Sequence, residues 1–401
     1  MRTHCIPIIN QDPAMHQTTR CVHHPEPPLD GFRSLSVPTY RASTIVFDSA
    51  SEYYQRKDRG PDGYSYGMNG TPTTRVFERQ ISLLHGGAHT VALPSGQAAI
   101  AAVILSLLKS GDHILLPDSV YPPVKTLCAQ LAVMMNLTFD RYDPVQTEAL
   151  ATKITDRTRL IWTESPGSST LEIQDIPAIV SLAHQRGILV GCDNTWATPL
   201  LFRPIEHGVD FVVEAVTKYI GGHSDLLMGT VTTDSDDLYV SLKKTIGMLG
   251  YAVSPDDCAL ALRGIETLPL RVRHSGETAQ RLSERIRRHY PAFEVLNPAL
   301  AGACGHELWQ RDFSGGSGVF SVVLRDVSPE RLDGALKGLG VFAIGASWGG
   351  THSLLAPMVV ANEVGSQRFR PEDIILRVNI GLEEEQDLWN DLSRILSRLS
   401  A

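Results

Sequence analysis

Between about residue 63 and residue 265 the chain alternates short apolar runs with longer stretches of helical composition, and few folds accept that pattern. The runs at 113–116, 137–140, 159–163 and 188–192 predict buried strands, and Phe211-Val212-Val213 continues the series. Helices are predicted over 75–85, 96–108, 122–133 and 176–186; Gly86-Gly87 stops the first and Lys109-Ser110-Gly111-Asp112 the second. Strands this apolar must be covered on both faces, which argues for an α/β fold around a mostly parallel sheet. In such sheets ligands bind beyond the carboxyl ends of the strands.

The flanks read differently. Residues 1–62 are punctuated by Pro25, Pro27, Pro28 and Pro38 and predict an extended N-terminal arm of the kind that wraps a partner subunit. Disorder of its first ~20 residues is the alternative. Residues 63–265 form the expected large domain. Past 265 come a helix over 267–289, a strand near 293, a glycine-rich turn at 314–318, a strand over 319–324, a helix over 329–339, a strand over 374–380 and a helix over 383–399. That order predicts a smaller α+β domain over 266–401.

Composition excludes several classes. A net charge of −8, with no basic tract among aromatics, speaks against nucleic acid as a partner. The longest apolar run, about 98–108, falls short of the ~20 residues that span a bilayer, so no membrane partner is expected. The first residues lack an apolar core followed by a small-residue cleavage site, so no signal peptide is expected. The six cysteines, at 5, 21, 128, 192, 258 and 304, form no Cys-x-x-Cys pair; reduced thiols and a cytoplasmic location follow. Cys192, among strand-like neighbours, reads as a small core residue. The fourteen histidines offer no His-Glu-x-x-His spacing, so no metal site is expected.

Two residues carry the chemistry. Asp193 closes a predicted strand in Gly191-Cys192-Asp193-Asn194-Thr195-Trp196, and Lys218 lies 25 residues on, in Ala215-Val216-Thr217-Lys218-Tyr219-Ile220-Gly221-Gly222-His223-Ser224-Asp225. Both fall where the strand-end rule wants a site. One lysine and one carboxylate are the minimum for pyridoxal phosphate (PLP) chemistry: the amine links to the cofactor's aldehyde, and the carboxylate keeps the pyridine nitrogen protonated. Ser95-Gly96-Gln97 opens the alanine-rich helix, where free N–H groups and the helix dipole attract a phosphate. Tyr121 follows a strand and can stack on a pyridine ring, although a half-buried loop tyrosine looks the same in sequence. Arg377 stands in the apolar strand Leu376-Arg377-Val378-Asn379-Ile380 and needs a partner, either an internal acid or a substrate α-carboxylate. Gly345-Ala346-Ser347-Trp348-Gly349 matches the serine-hydrolase elbow, but Gly349-Gly350 break any following helix and His352 precedes every later acid. Neither a Gly-Lys-Ser/Thr loop nor a Gly-x-Gly-x-x-Gly fingerprint is present.

Together these motifs resemble the Cys/Met-metabolism family of fold-type I PLP enzymes. The resemblance runs from about residue 35 to the end. It includes Ser36 to Thr44, Gly70-Thr71-Pro72-Thr73-Thr74, the Ser95-Gly96 loop, Asp193 to Trp196, Thr217 to Asp225 and Leu262 to Leu268. It implies a fold-type I architecture, with a mostly parallel seven-stranded sheet and a smaller C-terminal α+β domain. Within the family the chain looks most like the β-lyases that act on cystathionine. Glu164-Ser165-Pro166-Gly167-Ser168 and Ser347-Trp348 resemble the lyase versions of their segments, and Pro122-Pro123 after Tyr121 differs from the methionine γ-lyases. The implied activity is β-elimination giving a thiol, pyruvate and ammonia, with γ-elimination or γ-replacement, or a non-catalytic PLP-binding protein, as alternatives.

By this resemblance Lys218 carries the cofactor and shuttles the proton, Asp193 pairs with the pyridinium and Tyr121 stacks on the ring. Ser95, Gly96, Gln97 and Thr217 hold the phosphate. Ser347, Trp348 and Arg377 bind the amino-acid substrate, Arg377 through its carboxylate. Tyr66 reaches the site of a neighbouring subunit, in a homo-oligomer built as a homotetramer, a dimer of dimers. Two residues depart from the family pattern: Met68 stands where an arginine usually binds the phosphate across the interface, and Ala215 replaces a frequent serine. Either another basic group, Arg59 or Arg75, compensates, or the cofactor is bound less tightly.

Overall fold

The computed structural model describes residues 15–23, 34–360 and 368–400. Its larger sheet has strands β1 (His89–Leu93), β2 (His113–Pro117), β3 (Thr138–Tyr142), β4 (Thr158–Glu164), β5 (Leu189–Asp193), β6 (Phe211–Glu214) and β7 (Gly229–Thr233). They lie in the order β1-β7-β6-β5-β4-β2-β3. Strands β3, β2, β4, β5 and β6 run parallel, and β7 is antiparallel to both β6 and β1. The mostly parallel seven-stranded α/β sheet expected from the sequence is therefore the one observed.

The apolar-run reading named no strand at β1 or β7, and the reason is chemical. Strand β7 carries three threonines and β1 one, and the hydroxyls of Thr90 and Thr232 pair inside the core. Ser82 Oγ donates to Thr90 Oγ1 at 2.8 Å, and Thr90 and Thr232 share a second bond of 2.8 Å. A satisfied hydroxyl chain can be buried without an apolar signature.

Helices cover the sheet as the buried strands require. Helices Gly96–Leu107, Pro122–Met135 and Asp236–Leu249 pack Ile100, Val103, Leu131 and Leu242 against Ile114, Leu160 and Val213. Helix Pro72–His85 starts three residues before its predicted position, because Thr71 and Thr74 form a reciprocal cap around Pro72.

The second sheet contains β8 (Glu294–Leu296), β9 (Val319–Leu324), β10 (Ala343–Ile344), β11 (Leu354–Val359) and β12 (Ile374–Asn379), ordered β10-β11-β12-β9-β8. Helix Pro255–His289 joins the two sheets and runs through residue 265 without interruption. It begins earlier than the predicted 267, behind a Ser254 cap, with Pro269 accommodated inside it. A proline so placed in sequence imitates a helix start.

The N-terminal segment also differs from a purely extended arm. Gln17–Val22 is a short helix docked on the large domain of the same chain: Gln17 Nε2 donates to Pro199 O at 2.9 Å, Gln80 Nε2 to Arg20 O at 2.6 Å, and Cys21 is fully buried. From residue 34 onward Leu35, Val46 and Tyr54 are largely in solvent. Residues 1–14 and 24–33 of the expected arm, with Pro25, Pro27 and Pro28, lie outside the described residues. Among the described residues, the cysteines are free and no helix is long and apolar enough to cross a membrane.

Candidate active site

Parallel strands β4, β5 and β6 end side by side in Glu164, Asp193 and Glu214. Register pairs Glu164 with Asp193 directly. Three carboxyls so close in a dry place cannot all ionise cheaply. Burial, then the neighbouring Asp193 charge, push Glu164 and Glu214 well above the usual carboxylate range. Asp193 is raised less: burial lifts it, while hydrogen bonds from Thr195 and the Lys218 charge pull it back. Its Oδ1 accepts the Thr195 N–H at 3.0 Å. Thr195 Oγ1 in turn accepts the Ala215 N–H at 2.8 Å, and Asn194 Nδ2 donates to Glu214 at 3.0 Å. Asp193 therefore sits on a turn tied to the next strand.

Lys218 follows β6 in a turn closed by its N–H on Ala215 O at 2.9 Å and by the Gly222 N–H on its own carbonyl at 2.7 Å. Its Nζ donates to Ser347 Oγ at 2.8 Å and lies 5.4 Å from the centre of the Trp348 ring. Burial, reinforced by the Arg377 charge and opposed by Asp193, lowers the ammonium to about 8. The Ser347 loop passes so close that a Cβ at Gly349 would stand 2.9 Å from Tyr219 N and 3.2 Å from Lys218 Cα. Gly349 also has φ of +82°, so glycine is required twice over.

Tyr121 precedes helix Pro122–Met135 and donates its N–H to Glu164 Oε2 at 2.6 Å. Its ring is 42% exposed, which leaves a face for stacking. Burial raises its hydroxyl, reinforced by the charges of Asp193 and Glu164 and opposed by that of Arg377. Arg377, in mid-β12, donates to Ala346 O and, at 3.5 Å, to Ser347 O.

Ser95 caps helix Gly96–Leu107 through a 3.0 Å bond from Ala98 N, so the first turn presents its N–H groups at the edge of the site. A Cβ on Gly96 would approach Ala215 Cβ to 2.8 Å, so only glycine lets the helix start meet the end of β6. Gln97 Nε2 donates to Pro123 O at 3.3 Å, while its buried Oε1 has no partner. The Thr217 hydroxyl braces the turn by bonding Met228 O at 3.1 Å and Met228 N at 3.0 Å.

The fold thus gathers Lys218, Asp193, Tyr121, Ser347, Trp348 and Arg377 in one place, with Ser95, Gly96, Gln97 and Thr217 beside them. Tyr66 is different: its ring is 52% exposed, and among the described residues no hydrogen bond or ring contact joins it to that group. Arg59 is engaged with Glu52 and Tyr64 O, and Arg75 with Glu78, so neither serves the Ser95–Gln97 turn of its own subunit. Sequence reasoning assigned no role to Glu164 or Asn379. Asn379 Oδ1 accepts the Gly349 N–H at 2.9 Å and its Nδ2 donates to His352 O at 3.2 Å, which braces the Ser347 loop from β12. A polar residue at the end of an apolar strand is the signal that could have found both.

These residues fit PLP. A buried carboxylate at a strand end suits a pyridinium N–H, a glycine-opened helix start suits a phosphate, and an amine with a lowered pKa suits the aldehyde.

Relatives agree. A cystathionine β-lyase of Bordetella avium is 36% identical over 376 residues, 92% of this chain and 94% of that one. A provisionally named cystathionine β-lyase of Rhizobium johnstonii is 38% identical over 387 residues, 96% of each chain. The solved cystathionine γ-synthase of Xanthomonas oryzae pv. oryzae, in complex with aminoacrylate and cysteine, superposes with a TM-score of 0.87 at 29% identity. That match covers 96% of this chain and 99% of the synthase. The family model of the Cys/Met metabolism PLP-dependent enzymes matches residues 18–397, and the chain belongs to that family.

Proposed function

We propose that the protein is a PLP-dependent carbon–sulfur lyase that catalyses β-elimination from cystathionine or a cysteine-like amino acid, releasing a thiol, pyruvate and ammonia. From cystathionine the thiol is homocysteine. The observation that carries the reading is the Lys218 amine, lowered to about 8 and held by Ser347 close to the buried Asp193. When bound, PLP supplies an electron-accepting ring that stabilises negative charge at the α-carbon of an amino acid.

The chain's own residues do the rest. Ser95, Gly96, Gln97 and Thr217 hold the phosphate, Asp193 holds a protonated ring nitrogen, and Tyr121 covers the ring. Arg377 grips the substrate carboxylate, with Ser347 and Trp348 beside it. Lys218, once its amine is free and neutral, takes the α-proton; a base with a pKa near the working pH is best suited to that transfer. The same lysine then returns a proton to the departing thiolate. The β-lyase names of the relatives support this reading.

The γ-synthase structure keeps γ-replacement and γ-elimination as the second reading. Incubating the holoenzyme with cystathionine separates them. Pyruvate with homocysteine is expected; 2-oxobutyrate would move the protein to the γ-eliminating branch, and no turnover of any amino acid would leave a PLP-binding protein without catalysis.

We further place the protein in the cytoplasm, divide it into an N-terminal arm over 1–62, a PLP-binding domain over 63–265 and a C-terminal domain over 266–401, and assemble it as a homotetramer, a dimer of dimers. Leu35, Val46, Tyr54 and Tyr66 support the assembly, since apolar side chains this exposed along one segment mark a surface that a partner covers. In that assembly Tyr66 completes the site of the neighbouring subunit.

A further inference from the structure

Tyr66 lies at the tip of a loop whose two ends are gripped by one side chain. Arg75, from the first turn of helix Pro72–His85, donates through Nε to Asp62 O at 3.2 Å and through Nη2 to Asn69 O. Its third donor, Nη1, lies 2.5 Å from Glu78 Oε2. Glu78 is buried and anchored in turn, because its Oε1 accepts the Ala92 N–H from β1 at 3.0 Å. The guanidinium thus ties residues 62 and 69 to the edge strand of the large sheet.

Local sequence is built around this grip. Gly70 has φ of +104°, and a Cβ there would lie 2.8 Å from Arg75 Nη1, so a side chain at 70 would push the guanidinium off Asn69. The Asp62 carboxylate takes a hydrogen bond from the Tyr239 hydroxyl and lies 3.8 Å from Lys243 Nζ. Within the loop Gly67 N donates to Ser43 O at 2.8 Å, and Asn69 Nδ2 donates to Ser65 Oγ at 2.8 Å. The loop on both sides of Tyr66 is hydrogen-bonded to the body of the chain, while Tyr66 itself is half exposed. A planar guanidinium presents its donors in a fixed, spread fork that reaches two carbonyls and a carboxylate on different sides, whereas a lysine offers three donors from a single point.

We propose that Arg75 is a positioning residue for the active site of a neighbouring subunit: by clamping both ends of the 62–69 loop it sets where Tyr66 projects. The inference rests on the reading that Tyr66 acts across a subunit interface.

The test is complementation between chains. Arg75→Met alone is expected to lower kcat/KM by roughly 10–100-fold, the weight of a lost charged hydrogen bond. Its cofactor absorbance stays intact. Co-expressed with Lys218→Ala and purified through two tags, the hybrid has sites that combine Lys218 from one chain with a correctly held Tyr66 from the other. Its turnover is expected to equal that of a wild-type/Lys218→Ala hybrid. A hybrid no better than Arg75→Met itself would overturn the inference, since Arg75 would then serve its own subunit. The Tyr66→Ala/Lys218→Ala hybrid tests the underlying reading separately: if it fails to recover, Tyr66 does not cross the interface and both ideas fall. Should Arg75→Met not fold, Arg75→Lys keeps the Glu78 ion pair and loses the double carbonyl grip. Wild-type kinetics in that folded variant would equally refute the proposal.

Discussion

The two sheets contribute to the site in different ways. The larger one offers strand ends: Asp193 closes β5, Glu164 closes β4, and backbone register places them opposite each other. The smaller one offers Arg377 from mid-strand, and Ser347 and Trp348 from a loop between β10 and β11. Groups set by register cannot move without slipping a buried parallel strand, which would turn its whole side-chain set around. Ser347 and Trp348 stand on a loop held by hydrogen bonds with Asn379 and Arg377, and a loop can be re-aimed without slipping a strand. On the proposed function, the half that would hold the cofactor is therefore the more rigid one, and the half that would hold the substrate is where specificity can change. The Lys218–Ser347 bond joins the two, with the Trp348 ring beside the amine.

If that division is right, damage to the rigid half abolishes cofactor chemistry and damage to the other half changes substrate affinity. Lys218→Ala should show the largest effect: loss of visible cofactor absorbance, no borohydride-fixed cofactor, and turnover lower by at least ~10³-fold. Retained activity would hand the chemistry to Ser347 and revive the hydrolase motif. Asp193→Asn comes next. Removing one partner of a buried ion pair costs about 3–5 kcal/mol. At about 1.4 kcal/mol per tenfold, kcat should fall by roughly 10²–10³ with KM little changed. A variant that loses only substrate affinity would move Asp193 to the substrate half.

How far this was legible in the sequence follows the same line. Lys218 and Asp193 could be read because apolar runs stop just before them and a strand end is a defined place. The pairing of Glu164 with Asp193 could not, because it exists only once β4 and β5 are in register. Strand β7 escaped because threonines interrupt its apolar residues, and β1 because its apolar run is only Val91 to Leu93; burial of Thr90 and Thr232 is possible because their hydroxyls bond each other. Arg377 was legible as a cation in need of a partner, but not its bond to Ala346 O, which depends on how the loop folds over the strand. Tyr66 shows the limit of a single chain: it was legible only through the family resemblance, and the fold of one chain leaves it apart from the Lys218 group. Met68 and Ala215, the two departures from the family pattern, stay without a structural compensation in their own subunit.

Arg377→Lys tests the substrate half. A lysine keeps the charge and loses the two-pronged grip, so KM for the amino acid should rise by about 10–100-fold. The cofactor spectrum and its pH dependence should stay as in the parent. A bleached or shifted cofactor band in this variant would mean the halves are not separable.

The smallest expected effect is one of pH on stability, and its sign is fixed by the contact between the halves. Folding lowers Lys218 from its ordinary value of 10.5 to about 8, chiefly by burial. Below pH 8 the folded, cofactor-stripped protein carries a poorly solvated ammonium, which costs stability. Between about pH 8 and 10.5 the folded state has released that proton and the unfolded state has not. Where the unfolded state binds more protons, stability rises with pH. Other groups titrate in the same range, so the informative quantity is the difference in Tm between the parent and Lys218→Met. Going from pH 7 to pH 10, the parent should gain on the variant by roughly 1–3 °C. A difference that stays flat would mean that water reaches the amine when Ser347 and Trp348 lie over it. The protein would then have no means of its own to supply Lys218 as a neutral base, and closure of the substrate half would have to do so.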